Sequence, residues 1–182
     1  TSTNDTVLLL ANGMAENPVI DDENSPEYTE FKKALNYVNT ELSKKIAGDG
    51  EGATKLIESQ VVHADTKEHA GILAKAVIQS SLTKAAIFGK DVNWGRVLCA
   101  IGYAPGEFST DNIDVVMESA KGSVFVCQGS RHKEYSEEKA SEILAEEEIT
   151  IKVDMHQGSG SAVAWGCDLT YDYVQINGDY RS

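Results

Sequence analysis

Apolar residues recur along the chain with two different periods. Between residues 25 and 48 they return every three or four positions, at Phe31, Leu35, Val38, Leu42 and Ile46. This spacing predicts an amphipathic helix that closes at Gly48, with Ser25 as its N-cap and Pro26 at its first position. The same period in TKEHAGILAKAVIQSS predicts a second helix, which Thr66 caps.

Short apolar runs bounded by turn residues predict strands. The opening run TVLLLANG predicts a buried strand that stops at the turn of Asn12 and Gly13. Further strands are predicted at KLIESQVVHA, LTKAAIFG, NIDVVME, SVFVCQG, EITIKVDM and SAVAWGCDLTY. Helices are predicted at VLCAIGYA and SEEKASEILAEE. The fold class is therefore mixed α/β (α+β), with antiparallel pairing near the end of the chain.

Composition narrows the classes of function. The 182 residues suffice for one domain or two closely packed lobes. With 29 acidic and 16 basic residues, the net charge of -13 argues against nucleic acid or an anionic membrane as the main partner, and it favours a cationic or zwitterionic small molecule. The chain has no run of 18 apolar residues, and its first residues lack the layout of a secretory signal. We therefore expect a soluble, cytoplasmic protein.

The cysteines and histidines do not follow the spacing of a metal site. The cysteines are odd in number and lie far apart among apolar or small residues, which predicts buried free thiols at Cys99, Cys127 and Cys167. The four histidines lack the HExxH pattern, although His63 and His69 could share a local surface. We expect no metal.

Residues 48–55, GDGEGATK, place three glycines around Glu51. Glycines let a backbone come close to a ligand while the carboxylate points into the same space. The stretch lacks the glycine spacing and the final Lys-Ser or Lys-Thr of a phosphate loop, and a carboxylate would repel phosphate. A helix C-cap followed by a tight turn also explains the glycines. Both interpretations remain open on the sequence alone.

Two other stretches stand out. In FGKDVNWGR, Asn93 is a good N-cap, Trp94 a core anchor and Arg96 a partner for one of the many acids. The final stretch, AWGCDLTYDYVQINGDYRS, is rich in aromatic residues, which predicts an anchored terminus whose polar groups can line a site.

The first residue is a candidate nucleophile in its own right. An N-terminal threonine can attack a carbonyl because its own amine accepts the hydroxyl proton, and Thr1 stands at that position. Alternatively, the polar residues that follow Thr1 supply turn and capping groups before a strand.

Four stretches together resemble the beta chain of the ornithine acetyltransferase (glutamate N-acetyltransferase) family of arginine biosynthesis, and they occur in the same order here: TSTNDTVLLLANG, GDGEGATK, FGKDVNWGR and WGCDLTYDYVQINGDYRS. The resemblance covers residues 1–182. It implies a precursor that cuts itself before a threonine. The freed threonine then takes the acetyl group of N2-acetylornithine and passes it to glutamate by a ping-pong mechanism.

The resemblance also implies where the chemistry lies. The family's nucleophilic threonine sits in a methionine-rich context several tens of residues before the STNDT stretch, and this sequence lacks that context. Thr1 matches an internal threonine and is disfavoured as nucleophile, so no catalytic residue is assigned and the chain alone is expected to be inactive. The oxyanion-hole donors belong to the alpha chain. The substrate-binding residues carried over are Glu51, Asn177 and Ser182, where many members end in threonine.

The architecture implied is a layered mixed sheet-and-helix core completed by an alpha chain, with a smaller C-terminal α/β lobe. Residues 1–88 would belong to the core and residues 89–182 to the lobe, with the boundary near Gly89. The partners implied are the alpha chain, in a larger hetero-oligomer, and small amino-acid substrates. No cofactor is expected, and acetyl-coenzyme A would be a second acetyl donor only in bifunctional members.

Two alternative functions remain open. The chain could be a non-catalytic ligand-binding or assembly module of the same fold, which would bind ornithine without transferring an acetyl group. It could also be an amidohydrolase or aminopeptidase that uses Thr1, in which case Thr1 itself would become acylated.

Overall fold

The computed structural model describes residues 6–180, which contain six helices and six strands. The helices are α1 (Pro26–Gly48), α2 (Lys67–Gln79), α3 (Ser81–Phe88), α4 (Trp94–Gly102), α5 (Glu137–Leu144) and α6 (Tyr171–Asp179). The strands are β1 (Leu56–Ala64), β2 (Asp114–Ser119), β3 (Gly122–Gln128), β4 (Arg131–His132), β5 (Glu148–Asp154) and β6 (Gly160–Cys167). Within the described part of the chain, no helix combines the length and the apolar character that a bilayer span needs.

The chain divides into two compact units, one up to Ser43 and the other from Lys44 onward. The first unit contains most of α1, whose apolar residues Phe31, Val38 and Leu42 are exposed. The second unit contains the entire sheet and five complete helices. Glu51 and Asn177 both lie in this second unit.

The sheet has the strand order β4-β3-β2-β5-β1-β6. β1 and β5 are parallel, whereas β6 runs antiparallel to β1, and β2 runs antiparallel to both β5 and β3. In this register Leu56, at the start of β1, lies opposite Cys167, at the end of β6. The loop before β1 and the segment after β6 therefore lie side by side at the same end of these two strands.

One hydrophobic core covers one face of the sheet. Alternate residues of β1 and β5 are buried and paired in register, including Ile57 with Ile149 and Val61 with Val153. Side chains of α2, α4 and α5 join this cluster, among them Leu73 of α2. Alternation with a period of two is what places these strand residues on the same face.

Several predicted helix starts are confirmed. The Ser25 hydroxyl accepts a hydrogen bond from the Tyr28 N–H at 3.1 Å at the start of α1. The Thr66 hydroxyl accepts one from the His69 N–H at 3.1 Å at the start of α2. These caps could be predicted because each satisfies a backbone N–H group of its own first helical turn.

The predicted strand LTKAAIFG is wrong, because these residues form α3. Its buried residues, Thr83, Ala86 and Ile87, are spaced by three and one, as on one face of a helix. The Ser80 hydroxyl accepts a hydrogen bond from the Thr83 N–H at 3.2 Å and caps the helix. A short apolar run without clear alternation does not by itself distinguish a strand from a buried helix.

The predicted buried strand TVLLLANG is also not found. Residues 6–13 form no strand, and Val7, Leu8, Leu9 and Leu10 are all exposed. A strand requires a neighbour that accepts and donates its ladder hydrogen bonds. The sheet is built from strands within residues 56–167 and does not include this run.

The last predicted strand is too long. β6 ends at Cys167, and α6 begins at Tyr171 with Thr170 as its N-cap. Asp168 and Thr170 favour non-helical and capping positions, so they separate the strand from the helix. The predicted boundary near Gly89 stays a prediction. β1 precedes that residue and the other strands follow it, within the same sheet.

Candidate functional site

The predicted site residue Glu51 lies on a short loop between α1 and β1. Asp49 extends the end of α1 by donating its N–H to the Lys45 carbonyl at 3.0 Å. The Ala53 N–H donates to the Gly50 carbonyl at 2.9 Å, which closes a tight turn around Glu51. The cap and turn proposed for these glycines are therefore present, and the Glu51 side chain is exposed at the tip of the turn.

The glycines also allow the loop to lie directly on the C-terminal segment. A Cβ atom at Gly50 would stand 2.6 Å from the Cys167 Sγ. Gly52 has a φ of +66°, and a Cβ atom there would stand 2.7 Å from the Asp172 Cβ and 2.9 Å from the Tyr173 nitrogen. The close backbone approach predicted for these glycines is thus an approach to β6 and α6 of the protein itself.

Asp168 holds the other end of this loop. Its side chain is almost fully buried, and Oδ1 accepts hydrogen bonds from the N–H groups of Thr54 at 2.8 Å and of Lys55 at 3.1 Å. The Thr54 hydroxyl donates to Oδ2. The Asp168 N–H returns a hydrogen bond to the Lys55 carbonyl at 3.2 Å. The carboxylate therefore satisfies three donors of the loop in a site that excludes water.

Thr170 connects the loop to α6. Its hydroxyl donates to the Gly52 carbonyl at 2.7 Å and accepts a hydrogen bond from the Tyr173 N–H at 3.3 Å. The second contact is the N-cap of α6. One buried hydroxyl thus contacts both the loop that carries Glu51 and the helix that carries Asn177.

The structure brings Glu51 and Asn177 into direct contact. The Asn177 Nδ2 donates one hydrogen bond to the Glu51 Oε2 at 2.6 Å and another to the Tyr173 carbonyl at 2.9 Å. Both amide hydrogens are therefore used, which leaves the Asn177 Oδ1 and the second Glu51 oxygen as acceptors. If the amide were turned over, its Oδ1 would face the Glu51 carboxylate and the Tyr173 carbonyl, which are both acceptors. The two neighbours therefore determine the orientation of the Asn177 amide.

The last residue of the loop, Lys55, is a buried lysine. The Lys55 Nζ donates to the Glu146 carbonyl at 2.7 Å. Burial lowers the pKa of Lys55 below its ordinary value of 10.5, and the nearby Asp168 carboxylate opposes that shift. Lys55 thereby ties the start of β1 to the turn that precedes β5.

Two of the predicted positions lie outside the described residues. These are Ser182, predicted to bind substrate, and Thr1, disfavoured as nucleophile. Across residues 6–180, no group of three or more His, Cys, Asp or Glu side chains has the arrangement of a metal site.

The stretch around Asn93 has the structural roles predicted for two of its three residues. The Asn93 Oδ1 accepts a hydrogen bond from the Arg96 N–H at 3.2 Å and caps α4. Trp94 packs against the core. Among residues 6–180 no acid forms the ion pair predicted for Arg96, and its Nη1 donates to the Leu82 carbonyl at 2.9 Å. This stretch is not part of the Glu51 loop.

The cysteines are all free thiols, but only one is fully buried. Cys127 is buried, and burial raises the pKa of its thiol to about 11, with the Asp114 carboxylate acting in the same direction. Cys167 is half-buried and Cys99 is exposed, so burial was wrongly predicted for Cys99. Cys99 lies on α4 next to the buried Ala100, and a step of one residue along a helix rotates a side chain by about 100°, which moves it from the core to the surface.

Three of the four histidines lie close to aspartates. The His63 Nδ1 lies 2.8 Å from the Asp154 Oδ2, and the His69 Nδ1 lies 2.7 Å from the Asp65 Oδ1. The His156 Nδ1 lies 3.4 Å from the Asp154 Oδ1, so His63 and His156 share that carboxylate. The network is separate from the Glu51 loop and begins at the opposite end of β1.

A family model described as the ArgJ family matches residues 1–182 of the chain. The chain belongs to the ArgJ family. The structure agrees with that assignment, since it superimposes on a crystal structure of the arginine biosynthesis bifunctional protein ArgJ from Bacillus halodurans with a TM-score of 0.90. That comparison has 45% sequence identity and covers 99% of this chain and 83% of the solved one. The mixed α/β fold class is thus confirmed.

Curated ArgJ relatives match the whole chain but are longer. The arginine biosynthesis bifunctional protein ArgJ of Caldanaerobacter subterraneus subsp. tengcongensis is 52% identical over 181 residues, which is 100% of this chain and 45% of the relative. ArgJ 1 of Clostridium acetobutylicum is 51% identical over 182 residues, 100% of this chain and 44% of the relative. The chain spans slightly less than half the length of these ArgJ relatives.

The sequence analysis did not identify Asp168 and Thr170. A signal was present in the stretch CDLT at residues 167–170, where an acid and a hydroxyl residue follow an apolar strand. The stretch was predicted to be part of a strand, so Thr170 was not recognised as an N-cap. A capping residue can be predicted only when the helix that follows it is predicted as well.

Proposed function

We propose that the complete ArgJ protein containing this chain transfers the acetyl group of N2-acetylornithine to glutamate, and that Glu51 and Asn177 bind the amino-acid substrate. The observation that carries the proposal is the 2.6 Å hydrogen bond between these two side chains, which are 126 positions apart in sequence. Membership of the ArgJ family and the names of the relatives, arginine biosynthesis bifunctional proteins, support the reaction class.

The pair is suited to a cationic group of the substrate. The acceptors left without a hydrogen bond to each other are the Asn177 Oδ1 and a Glu51 carboxylate oxygen, because both hydrogens of the Asn177 amide are donated to Glu51 and Tyr173. An ammonium group carries three donors and no acceptor, so it complements two neighbouring residues that each offer an acceptor, one of them charged. The δ-ammonium of N2-acetylornithine supplies such a group. The net charge of -13 favours the approach of a cation.

The covalent step belongs to a threonine that the family resemblance places upstream of residue 1. Its hydroxyl attacks the acetyl carbonyl, the amide bond to ornithine breaks, and the amine leaves with a proton. The glutamate amine then attacks the acetyl ester and releases the threonine. In this scheme Glu51 and Asn177 position the donor, which lowers the entropic cost of reaching the reactive geometry.

We also propose that the functional protein pairs this chain with an alpha chain from the same precursor in a hetero-oligomer in the cytoplasm. The chain covers 83% of the solved ArgJ chain but only 45% of a full-length curated relative. The solved chain is therefore about half as long as such a relative, which supports division of the precursor into two chains.

The word bifunctional in the names of the relatives supports a second activity, and we propose acetyl-coenzyme A as the second acetyl donor. The two donors compete for the same threonine in this scheme. Transfer to glutamate from each donor separately, measured with the complete protein, tests it. Activity with N2-acetylornithine alone would show a single donor.

The first experiment is denaturing intact mass of each chain of the complete protein after incubation with N2-acetylornithine. Gain of one acetyl group on a chain that contains the upstream threonine supports the proposal. Acylation of Thr1 would instead support the N-terminal nucleophile. No acetyl gain on any chain, together with binding of ornithine by the native protein in a calorimetric titration, would support a binding module.

A matched variant tests the site. Glu51→Gln keeps the size of the side chain and removes its charge, so kcat/KM for N2-acetylornithine should fall about 10- to 100-fold, as is usual when a hydrogen bond to a charged group is weakened. An unchanged kcat/KM would remove Glu51 from the site.

A further inference from the structure

We infer that Asp168 and Thr170 are positioning residues that hold the Glu51 loop against α6 in the orientation that binds substrate. This inference rests on the proposed function for its kinetic consequence. Its structural content, a loop held by two side chains of the segment after β6, is independent of that function.

The loop needs external support because its internal hydrogen bonding is sparse. Between Glu51 and Lys55, the turn contributes one backbone hydrogen bond, from the Ala53 N–H to the Gly50 carbonyl. The other polar contacts of this part of the loop are made with residues 168–170 and with Asn177, and Lys55 also contacts Glu146. Gly50 and Gly52 add conformational freedom that these contacts must restrict.

Asp168 is buried enough to act as a fixed anchor. Only 3% of its surface is exposed, and its carboxylate accepts three hydrogen bonds from Thr54 and Lys55. A buried carboxylate is stable only while such donors surround it, so displacement of the loop would leave the charge unpaired. The anchor therefore favours one position of the loop.

Thr170 links the two arms of the site through a single atom. Its hydroxyl donates to the Gly52 carbonyl, next to Glu51, and caps the first turn of α6, which carries Asn177. The hydroxyl reaches the Gly52 carbonyl, 118 positions earlier in the chain, because β6 returns antiparallel beside β1. Loss of this hydroxyl should loosen Glu51 relative to Asn177.

The chain offers matched variants for this test. Thr170→Val removes both hydrogen bonds while keeping the shape of the side chain, and Thr170→Ser retains both. Thr66→Val removes the N-cap of α2, where the Thr66 hydroxyl accepts from the His69 N–H at 3.1 Å. Thr66 therefore controls for the general cost of losing a threonine cap. Asp168→Asn is a second probe, because it removes the charge and places an amide donor where Oδ2 accepts from the Thr54 hydroxyl.

The structural readout is hydrogen exchange of the backbone amides of residues 50–55 in the complete protein. Thr170→Val should speed exchange in the loop at least about tenfold relative to wild type, because opening of the loop becomes less costly. Thr170→Ser and Thr66→Val should leave the loop within about twofold of wild type. Unchanged loop exchange in both Thr170→Val and Asp168→Asn overturns the inference, whatever the kinetics show.

The kinetic readout separates positioning from general damage. Thr170→Val should raise KM for N2-acetylornithine about tenfold and change kcat by less than about threefold, whereas Thr66→Val should leave KM unchanged. In a Glu51→Gln background the effect of Thr170→Val on KM should largely disappear, because residues that act through one another are not additive.

The outcomes for the two proposals can be distinguished. Fully additive effects of Thr170→Val and Glu51→Gln on KM would overturn the positioning role. An unaltered kcat/KM in Glu51→Gln alone would overturn the proposed role of Glu51, and loop exchange would then decide the inference by itself.

Discussion

The Asn177 Nδ2 donates a hydrogen bond to the Glu51 Oε2 at 2.6 Å, which joins the loop before β1 to the helix after β6. The contact depends on the antiparallel register in which Leu56 lies opposite Cys167. It also depends on two glycines that allow the loop to touch β6 and α6. The candidate site is therefore a product of strand pairing and close backbone packing rather than of a local motif.

The first prediction concerns the Asn177 amide. Asn177→Ala removes the donor to Glu51 and the Oδ1 acceptor proposed to bind substrate, so kcat/KM of the complete protein for N2-acetylornithine should fall about tenfold or more. The control is Gln175→Ala, an exposed change on the same helix that should leave kcat/KM within about twofold. Steady-state kinetics of both variants would decide, and equal effects would count against a specific role for Asn177.

The second prediction concerns the packing of Gly52. Gly52→Ala introduces a Cβ atom 2.7 Å from the Asp172 Cβ in a backbone with a φ of +66°. It should lower the free energy of unfolding by about 1–3 kcal/mol. Urea unfolding of the complete protein, followed by a signal from this part of the chain, measures the effect.

A glycine in α6 provides the matched control for Gly52. A Cβ atom at Gly178 meets no atom within 4 Å, and the residue is helical. Gly178→Ala should therefore raise the free energy of unfolding by about 0.5–1 kcal/mol. If both variants changed the free energy of unfolding in the same direction and by the same amount, the prediction that close packing at Gly52 excludes a side chain would be contradicted.

The third prediction concerns stability at high pH. The pKa of Cys127 is raised to about 11 in the folded protein from an ordinary value of 9.0, chiefly by burial. Between these two values the unfolded chain loses the thiol proton while the folded protein keeps it, so the unfolded state binds fewer protons. The free energy of unfolding should therefore fall as the pH rises from 9 to 11, through this group.

Cys127→Ala isolates this contribution. The variant should be less stable than wild type at neutral pH because a buried group is removed, but the difference should shrink between pH 9 and 11. Thermal unfolding of both proteins across this range measures the difference. A constant difference from pH 7 to 11 is the result that would contradict the prediction.

Much of the local structure could be predicted from the residues themselves. Ser25, Thr66 and Asn93 all act as N-caps as predicted, because a cap satisfies groups only three positions away. Five of the six strands within residues 6–180 lie where alternation or continuous apolar character predicts them, and the two-residue β4 was not predicted. The short run that forms α3 was misassigned because eight residues carry too little periodic signal to separate a helix from a strand.

The candidate site could be predicted only in part. The family resemblance pointed to Glu51 and Asn177, and the structure places them in contact. Asp168 and Thr170 were not predicted as site residues. Their partners in the loop, Thr54 and Gly52, lie more than a hundred positions away, and the local sequence does not indicate which distant residues will be in contact. Burial was also wrongly assigned to Cys99, because exposure depends on which helix face meets the core.

The sequence by itself determined the helix caps, most of the helices and strands, the acidic charge and the family to which the chain belongs. These properties depend on residue type and on contacts within a few positions. Only the tertiary structure decided that β6 returns beside β1, that Gly50 and Gly52 lie against the C-terminal segment, and that Glu51 meets Asn177. The physical reason is that register and close packing arise from the simultaneous fit of distant segments, which no local pattern specifies.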